Sequence, residues 1–387
     1  MNDKSSLREQ FLLDPNVVFL NHGSFGATPR PVFEAYQAWQ RRLERQPVLL
    51  LGREVEEHLA DARHALGDYL HVDGDDLVYV PNATFGVNLV ARSLDLTQGD
   101  EVLTTDHEYG ACDRVWRFLQ QKRGFRYVQQ HIPLPTDSPE EMVEHFWQGV
   151  TPNTKLIYLS HITSSTALRL PVESICRRAR EAGILTLIDG AHAPGQIPLN
   201  LTEIGADFYT GNCHKWLCAP KGAAFLYARR EAQILLEPLV VSWGWESRTP
   251  SHSSFIDQLQ WLGTNDPSAY LAVPAAIQFQ ADNDWTAVRQ QCHQLAKEAL
   301  AKISAVTGLP PLYPADDRFF QQLFIAPLPL CDLATLKSDL YDEFRIEVPL
   351  TQWRDYQFVR VSVQGYNNHA DLDRLVTALK TLLPGNS

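Results

Sequence analysis

Two ionisable residues, Lys215 and Asp189, directly follow apolar runs that are typical of buried strands. Lys215 follows Phe208–Thr210 and stands beside a histidine, and Asp189 follows Ile184–Ile188. A lysine head usually stays in water, and a desolvated lysine becomes an amine nucleophile. A carboxylate at the end of an apolar strand is costly to bury unless it meets a cation. The two residues therefore indicate a polar ligand site, although Asp189 alone is equally well explained as a helix cap or a turn residue.

Two further residues, Thr84 and Tyr109, stand at comparable places after the apolar runs at 77–80 and 101–105. Thr84 opens a predicted helix, where free backbone N–H groups favour a phosphate, although an ordinary helix cap explains it as well. Tyr109 offers a ring that lies flat on a planar ligand or packs in the core. Together the four residues fit pyridoxal 5′-phosphate (PLP). Lys215 would hold the PLP aldehyde as a Schiff base, and Asp189 would keep the ring nitrogen protonated.

Short β-rich runs alternate with amphipathic helical patterns between about residues 77 and 229, as in Phe85–Leu94 and Val172–Ala182. This alternation predicts an α/β fold with a mostly parallel sheet and ligands bound beyond the carboxyl ends of the strands. The predicted strands are Leu77–Val80, Glu101–Thr105, Arg126–His131, Lys155–Ser160, Ile184–Ile188, Phe208–Thr210 and Ala223–Tyr227.

The pattern changes after about residue 265, and the rest of the chain predicts a smaller α+β domain. We therefore expect an N-terminal segment with a large domain at 1–265 and a small domain at 266–387. The elements predicted for the small domain are a helical stretch from Tyr270 to about Ala305, strand Phe319–Ile325, helix Asp332–Phe344, strands Arg345–Val348 and Phe358–Val363, and helix Asp371–Leu383.

Composition and charge exclude several classes of protein. The 387 residues fit two or three domains, and the charge of 34 − 46 = −12 argues against a nucleic-acid partner. No apolar stretch is long enough to span a membrane, and the N-terminus lacks the pattern of a secretory signal, so we expect a cytoplasmic protein. The six cysteines form no C-x-x-C pair, so we expect no metal site.

Six segments carry a resemblance to a known family: FLNHGSFG at 19–26, DHEYG at 106–110, SHITS at 160–164, DGAH at 189–192, GNCHKW at 211–216 and VRVSVQGYN at 359–367. With them the chain resembles, over nearly its whole length, the class V aminotransferase family of fold-type I PLP enzymes, and within it the isopenicillin N epimerase-like proteins. The resemblance implies a large domain whose mostly parallel seven-stranded sheet is sandwiched by helices, plus a smaller α+β C-terminal domain.

The resemblance also implies roles for individual residues. Lys215 takes the place of the Schiff-base lysine, and Asp189 that of the partner of the pyridine nitrogen. Tyr109 stands where related cysteine desulfurases stack a histidine on the ring, and His192 stands where a glutamine reaches the phenolic oxygen. The other cofactor-binding residues implied are Ala83, Thr84, Ser164, Asn212 and His214, together with Thr264, which a neighbouring subunit of a homodimer would contribute to the phosphate. The substrate-binding residues implied are Asn21, His22 and Arg360, with Arg360 as the clamp for the α-carboxylate.

The chain departs from the desulfurase pattern at two places: Tyr109 replaces the stacked histidine with a phenol that can also act as an acid or base, and a cysteine is missing. Family desulfurases carry a nucleophilic cysteine on a loop before the strand of the clamping arginine, and the equivalent stretch, 349–356, contains no cysteine. Cys331 precedes the predicted helix Asp332–Phe344 and is interpreted as a structural thiol. Persulfide chemistry is therefore not expected.

Three reactions share the removal of the α-proton by the amine of Lys215. Epimerisation returns the proton to the opposite face and needs a second acid, for which Tyr109 and His22 are the candidates. C–S lysis of a cysteine conjugate, as in the sulfoxide lyase of ergothioneine synthesis, is the alternative, and transamination is the third. A non-catalytic protein with this fold would need Lys215 or Asp189 replaced, and a nicotinamide enzyme would need a G-x-G-x-x-G segment after an early strand, which is absent.

Overall fold

The structure is a computed structural model that describes residues 6–383. The strands are β1 (Val18–Phe19), β2 (Leu77–Val80), β3 (Glu101–Thr105), β4 (Arg126–Gln130), β5 (Thr154–Ser160), β6 (Leu185–Asp189), β7 (Phe208–Asn212), β8 (Ala224–Ala228), β9 (Leu323–Leu328), β10 (Ile346–Glu347), β11 (Leu350–Trp353) and β12 (Tyr356–Ser362). The α-helices are α1 (Leu7–Gln10), α2 (His22–Phe25), α3 (Arg30–Arg45), α4 (Pro47–Leu49), α5 (Val55–Leu70), α6 (Ala83–Ser93), α7 (Gly110–Arg123), α8 (Pro139–Trp147), α9 (Val172–Glu181), α10 (Leu201–Ile204), α11 (Ser254–Gln260), α12 (Ser268–Leu271), α13 (Val273–Asp282), α14 (Trp285–Thr307), α15 (Leu333–Asp342) and α16 (His369–Leu382).

The seven strands β2 to β8 form the central sheet, in the order β2-β8-β7-β6-β5-β3-β4. All of its neighbouring strands are parallel except β8, which runs antiparallel to both β2 and β7. Every residue of β2, β3, β7 and β8 is buried, as expected for strands covered by helices on both faces. The predicted α/β fold with a mostly parallel seven-stranded sheet is confirmed.

The helices that cover the sheet follow from the spacing of apolar residues. In α9, for example, Val172, Ile175, Cys176 and Ala179 are buried, at the spacing that places them on one face. Pro171 precedes this helix, and Gly183 follows it with a φ of +69°, a conformation that glycine adopts at little cost. The apolar faces of these helices pack onto the sheet and hold its parallel strands in place. The carboxyl ends of the strands therefore lie together at one edge of the sheet.

A second sheet of three antiparallel strands, in the order β11-β12-β9, follows the helices α13 and α14. The short strand β1 pairs in parallel with β10, so the N-terminal segment packs against the C-terminal part of the chain. The amide of Ser362 in β12 also donates to the carbonyl of Leu20, and the guanidinium of Arg8 pairs with Asp371 at 3.0 Å. The division at residue 265 remains a prediction, and these contacts connect its two sides.

Two predicted elements of the C-terminal part differ from the structure, and one strand was not predicted. The long helical stretch is divided into α12, α13 and α14, and the break before α14 falls at Asp284, which adopts a left-handed φ of +46° and caps α14 by accepting from the amide of Ala287. The strand predicted at Phe319–Ile325 begins later, at Leu323, and β11 was not predicted at all. Among the described residues, no helix is long and apolar enough to cross a bilayer.

Candidate active site

A cavity of about 510 Å³ opens at the carboxyl edge of the central sheet. Asp189, Ser160 and Asn212 are the last residues of β6, β5 and β7, so the topology of the sheet brings them together here. Every residue predicted to bind the cofactor lines this cavity except Thr264. The lining members of that set are Ala83, Thr84, Tyr109, Ser164, Asp189, His192, Asn212, His214 and Lys215.

One end of the cavity is formed by the start of helix α6. The side chain of Asn82 caps the helix by accepting from the amide of Phe85 at 2.9 Å, and the amide of Ala83 donates to Oδ1 of Asn212 at 2.9 Å. Thr84, in the first turn, lines the cavity beside them. A helix start of this kind concentrates N–H donors and positive potential, which suits a phosphate group.

His214 lies at the same end and is fixed by its main-chain surroundings. Its Nδ1–H donates to the carbonyl oxygen of Ala223 at 3.0 Å. Burial lowers the pKa of His214 to about 4, so the ring is neutral at pH 7. Because one ring nitrogen carries the proton, Nε2 is the nitrogen that remains free to interact with a ligand.

Asp189 is 3% exposed, and its hydrogen-bond partners among the described residues are neutral groups. Its Oδ1 accepts from the amide of Ala191 at 2.9 Å, while Oδ2 lies 3.4 Å from the hydroxyl of Tyr158 and 3.6 Å from the thiol of Cys112. Burial raises the pKa of Asp189, and within residues 6–383 it forms no ion pair. A carboxylate placed in this way is stabilised by a cationic ligand, such as a protonated pyridine.

Lys215 lines the same cavity as Asp189, and the pKa of its amine is lowered. Burial lowers the pKa of Lys215 to about 8; Arg360 adds to the effect and Asp189 opposes it. Its Nζ lies 3.2 Å from Nε2 of His192, whose Nδ1 accepts from the indole of Trp216 at 3.3 Å. Roughly a tenth of the lysine is therefore a neutral amine at pH 7, far more than for a lysine with the ordinary pKa, and a nucleophile or a base requires this form.

Arg360 on β12 is 5% exposed and has no carboxylate partner among the residues that the structure describes. One terminal nitrogen donates to the carbonyl oxygen and Oγ of Ser164 at 2.6 and 3.1 Å, and the other to Oγ of Ser24 at 3.0 Å. Nε is buried and has no hydrogen-bond partner among residues 6–383. Burial lowers the pKa of Arg360 to about 10, and Ser24 and Ser164 both line the cavity, so the guanidinium is placed for an anion there.

None of the three residues predicted to bind substrate is among those that line the cavity: Arg360 reaches it through Ser24 and Ser164, and Asn21 and His22 lie outside the lining as well. Asn21 accepts from the hydroxyl of Ser24 at 2.5 Å and so acts on Arg360 through that serine. His22 is fully buried behind the lysine: Nε2–H donates to the carbonyl oxygen of Lys215, and Nδ1 lies 3.0 Å from the hydroxyl of Tyr366. This position does not suit His22 for its predicted role as the second acid, because its ring faces the main chain of Lys215 and not the cavity.

Thr264 is exposed on the segment between α11 and α12, away from the cavity of its own chain. Its contact with the phosphate of a neighbouring subunit remains a prediction. Cys331 is half-buried, and its amide and carbonyl bond the side chain of Gln357 at 2.9 and 3.1 Å. It does not line the cavity either, as expected of a structural thiol.

The comparisons with known proteins agree with this geometry. The family model described as "Aminotransferase class-V" matches residues 18–375. The chain belongs to the class V aminotransferase family. Isopenicillin N epimerases from Amycolatopsis lactamdurans and Streptomyces clavuligerus are 37% and 35% identical to it, each over 98% of both chains. A probable chloroplastic L-cysteine desulfhydrase from Arabidopsis thaliana is 28% identical over 96% of this chain and 84% of its own length.

Solved structures of this type share the architecture. The cysteine desulfurase from Thermococcus onnurineus NA1 superposes with a TM-score of 0.84 at 19% identity over 98% of both chains. A mutant of C-DES with glycine covalently linked to its PLP cofactor superposes with a TM-score of 0.80 at 22% identity, over 97% of this chain and 99% of that one. The class V member described here therefore has the fold-type I architecture, as predicted.

PLP fits the residues of this class V site. The buried Asp189 without an ion pair suits a protonated ring nitrogen, the amine of Lys215 suits the aldehyde, and the start of α6 suits the phosphate. Tyr109 lines the cavity with a 46% exposed ring that is available to a planar ligand. The protein is a PLP-dependent enzyme.

The sequence did not indicate some of the residues around this site. Glu108 accepts from the amide and hydroxyl of Ser160 at 2.9 and 2.6 Å, and burial raises the pKa of Glu108 to about 7. Tyr158 and Cys112 lie behind Asp189. In the sequence, Trp216 stood out only because it follows Lys215. Its distance along the chain from His192 did not predict the contact between the two side chains.

Proposed function

We propose that this PLP-dependent enzyme inverts the configuration of an α-amino acid at its α-carbon, with isopenicillin N as the first substrate to test. One observation carries the proposal: two isopenicillin N epimerases align with the chain over 98% of its length at 37% and 35% identity. The proposal requires a clamp for the carboxylate and two proton-transfer groups.

The clamp is assigned to Arg360, whose buried guanidinium binds the α-carboxylate of the substrate. Ser24 and Ser164 hold two of its nitrogens, so little side-chain entropy remains to be lost on binding. The absence of a carboxylate partner for Arg360 within residues 6–383 leaves its charge for the ligand.

Proton transfer is assigned to Lys215 and Tyr109. Bound PLP supplies an electron sink that makes the α-proton of an attached amino acid removable. The Nζ of Lys215 removes this proton as a neutral amine, which its lowered pKa of about 8 favours. The hydroxyl of Tyr109, which lines the same cavity, delivers a proton to the opposite face.

C–S lysis is a second candidate, because relatives named as L-cysteine desulfhydrases are 27–28% identical over most of the chain. It uses the same carboxylate clamp and the same base, and Tyr109 would protonate the departing sulfur instead of the α-carbon. A persulfide-forming desulfurase is disfavoured, because 349–356, which contains β11 and the turn that leads into β12, has no cysteine.

Incubation in D₂O with isopenicillin N, other amino acids and cysteine conjugates tests the proposal. Solvent deuterium at the α-carbon with inverted configuration supports epimerisation. Pyruvate with a released thiol or sulfenate, or a keto acid, contradicts it in favour of lysis or transamination. Lys215→Ala should abolish each of these reactions, whereas Lys221→Ala, which removes an exposed lysine in the next turn that does not line the cavity, should retain them.

A further inference from the structure

We propose that Trp216 is a positioning residue that fixes His192 as the tautomer with its proton on Nε2. The ring then presents a permanent hydrogen-bond donor beside the amine of Lys215. The proposal concerns the cofactor site and does not depend on which reaction the enzyme catalyses.

The indole of Trp216 is the first element of the argument. Trp216 is fully buried, and its Nε1–H lies 3.3 Å from Nδ1 of His192. An indole nitrogen donates and cannot accept, so Nδ1 of His192 must be the acceptor. Nδ1 is therefore the nitrogen that carries no proton.

The charge state of His192 is the second element. The side chain is 3% exposed, with the cationic groups of Lys215 and Arg360 nearby and no carboxylate bonded to its ring in the described part of the chain. A buried imidazole in such surroundings is neutral and carries one N–H. Since Nδ1 is an acceptor, that proton is on Nε2.

The orientation of the ring is the third element. The carbonyl oxygen of His192 accepts from Nε2 of Gln196 at 2.7 Å, which anchors its main chain. On one side, a Cβ at position 23 would lie only 3.4 Å from Cε1 of the ring, so Gly23 packs closely against it. The buried indole of Trp216 completes the enclosure, so the ring cannot turn over about its Cβ–Cγ bond and move Nδ1 away from the indole without displacing these groups.

The consequence lies at Lys215, whose Nζ is 3.2 Å from Nε2 of His192. An N–H donor facing the lysine pairs with the lone pair of a neutral amine and repels an ammonium group. In PLP the phenolic oxygen neighbours the aldehyde carbon to which the lysine binds, so the same N–H is available to that oxygen. Trp216 therefore controls the polarity of His192 although it does not line the cavity.

Selective ¹⁵N labelling of histidine in the full-length protein, with and without PLP, tests the proposal by NMR. The signals of His192 are identified by their loss in His192→Asn. In the wild-type protein we expect a proton on Nε2, none on Nδ1, and no change across neutral pH. A proton on Nδ1 would overturn the proposal, and this measurement needs no variant of Trp216.

Trp216→Phe then tests the cause. Without the indole donor, Nδ1 is free to carry the proton and Nε2 to accept from the amine of Lys215, so the second tautomer should appear. We expect PLP to bind about fivefold more weakly, the effect of one hydrogen bond of about 1 kcal/mol. Trp285→Phe is the matched control, because Trp285 is equally buried but donates to the carbonyl of Gly195 at 3.0 Å. Identical His192 signals in wild type and Trp216→Phe would overturn the assignment of Trp216.

Discussion

The guanidinium of Arg354 donates two hydrogen bonds, at 2.9 and 2.7 Å, to a single carboxylate oxygen of Asp106. Arg354 forms the turn between β11 and β12, and Asp106 begins the segment that carries Tyr109. Beside this pair, the indole of Trp353 donates to the main-chain carbonyl of Asp106 at 3.0 Å and stacks on His107 with ring centroids 4.3 Å apart. The hairpin β11–β12, where desulfurases carry their cysteine loop, therefore anchors the Tyr109 segment.

Trp353→Ala should destabilise the contact between the β11–β12 hairpin and the Tyr109 segment much more than Arg354→Ala does. Trp353 is 7% exposed and its loss should cost about 3–4 kcal/mol of unfolding free energy, whereas the half-exposed ion pair is worth less than about 1 kcal/mol. Trp353→Ala should also weaken PLP binding, because Tyr109 loses its support. Urea unfolding and PLP titration measure the two effects. Trp147→Ala, which removes a tryptophan stacked on Arg178 away from the cavity, should leave PLP affinity unchanged.

Arg360→Ala should raise KM for α-carboxylate substrates by two to three orders of magnitude, because a buried charged hydrogen bond is worth about 2–5 kcal/mol. Amines that lack the carboxylate should be affected little. The comparison of the two substrate classes separates the clamp from a structural effect. An equal rise in KM for both classes would remove Arg360 from carboxylate binding.

Tyr109→Phe keeps the ring and removes the acid. If the hydroxyl delivers the second proton, deuterium washes into the α-carbon with retention of configuration while inversion falls about 10²-fold or more. Chiral analysis of substrate recovered from D₂O measures both rates. Unchanged inversion in this variant would assign the second proton to another group, and His22→Asn would not be the next choice, because His22 lies behind Lys215.

Stability should fall as the pH drops below about 6.5. Burial lowers the pKa of His22 and His161 to about 3 and of His214 to about 4, while unfolded histidines titrate near 6.5. Between these values the unfolded chain binds more protons, so acid favours unfolding. Glu108, whose pKa burial raises to about 7, acts oppositely but is outnumbered.

Urea unfolding of the apoprotein should therefore show a loss of about 1–3 kcal/mol between pH 7 and pH 5.5. Glu108→Gln removes the opposing contribution and should steepen this loss. Equal stability at the two pH values would contradict neutral buried histidines.

The sequence predicted the central sheet and the positions of Asp189 and Lys215 because both are local signals. Each strand is a short apolar run, and the carboxyl ends of parallel strands meet at one edge. The place of His22 was not predictable in this way, because it depends on the pairing of β1 with β10. The break before α14 depends on the left-handed conformation of Asp284, which the sequence does not signal. The strand β11, Leu350–Trp353, has no apolar run of its own and forms only by pairing with β12.

The N-terminal segment holds β12, the strand of Arg360, which we propose as the carboxylate clamp. The carbonyl of Leu20 accepts from the amide of Ser362, and the amide of Gly23 donates to the hydroxyl of Ser362, 339 residues along the chain. These contacts limit recombination between relatives. A chimaera that takes roughly its first thirty residues from one parent and β12 from another must preserve the hydrogen bonds of Leu20 and Gly23 with Ser362. A mismatch at this junction should shift β12 and with it Arg360, so the two ends of the chain should be exchanged together.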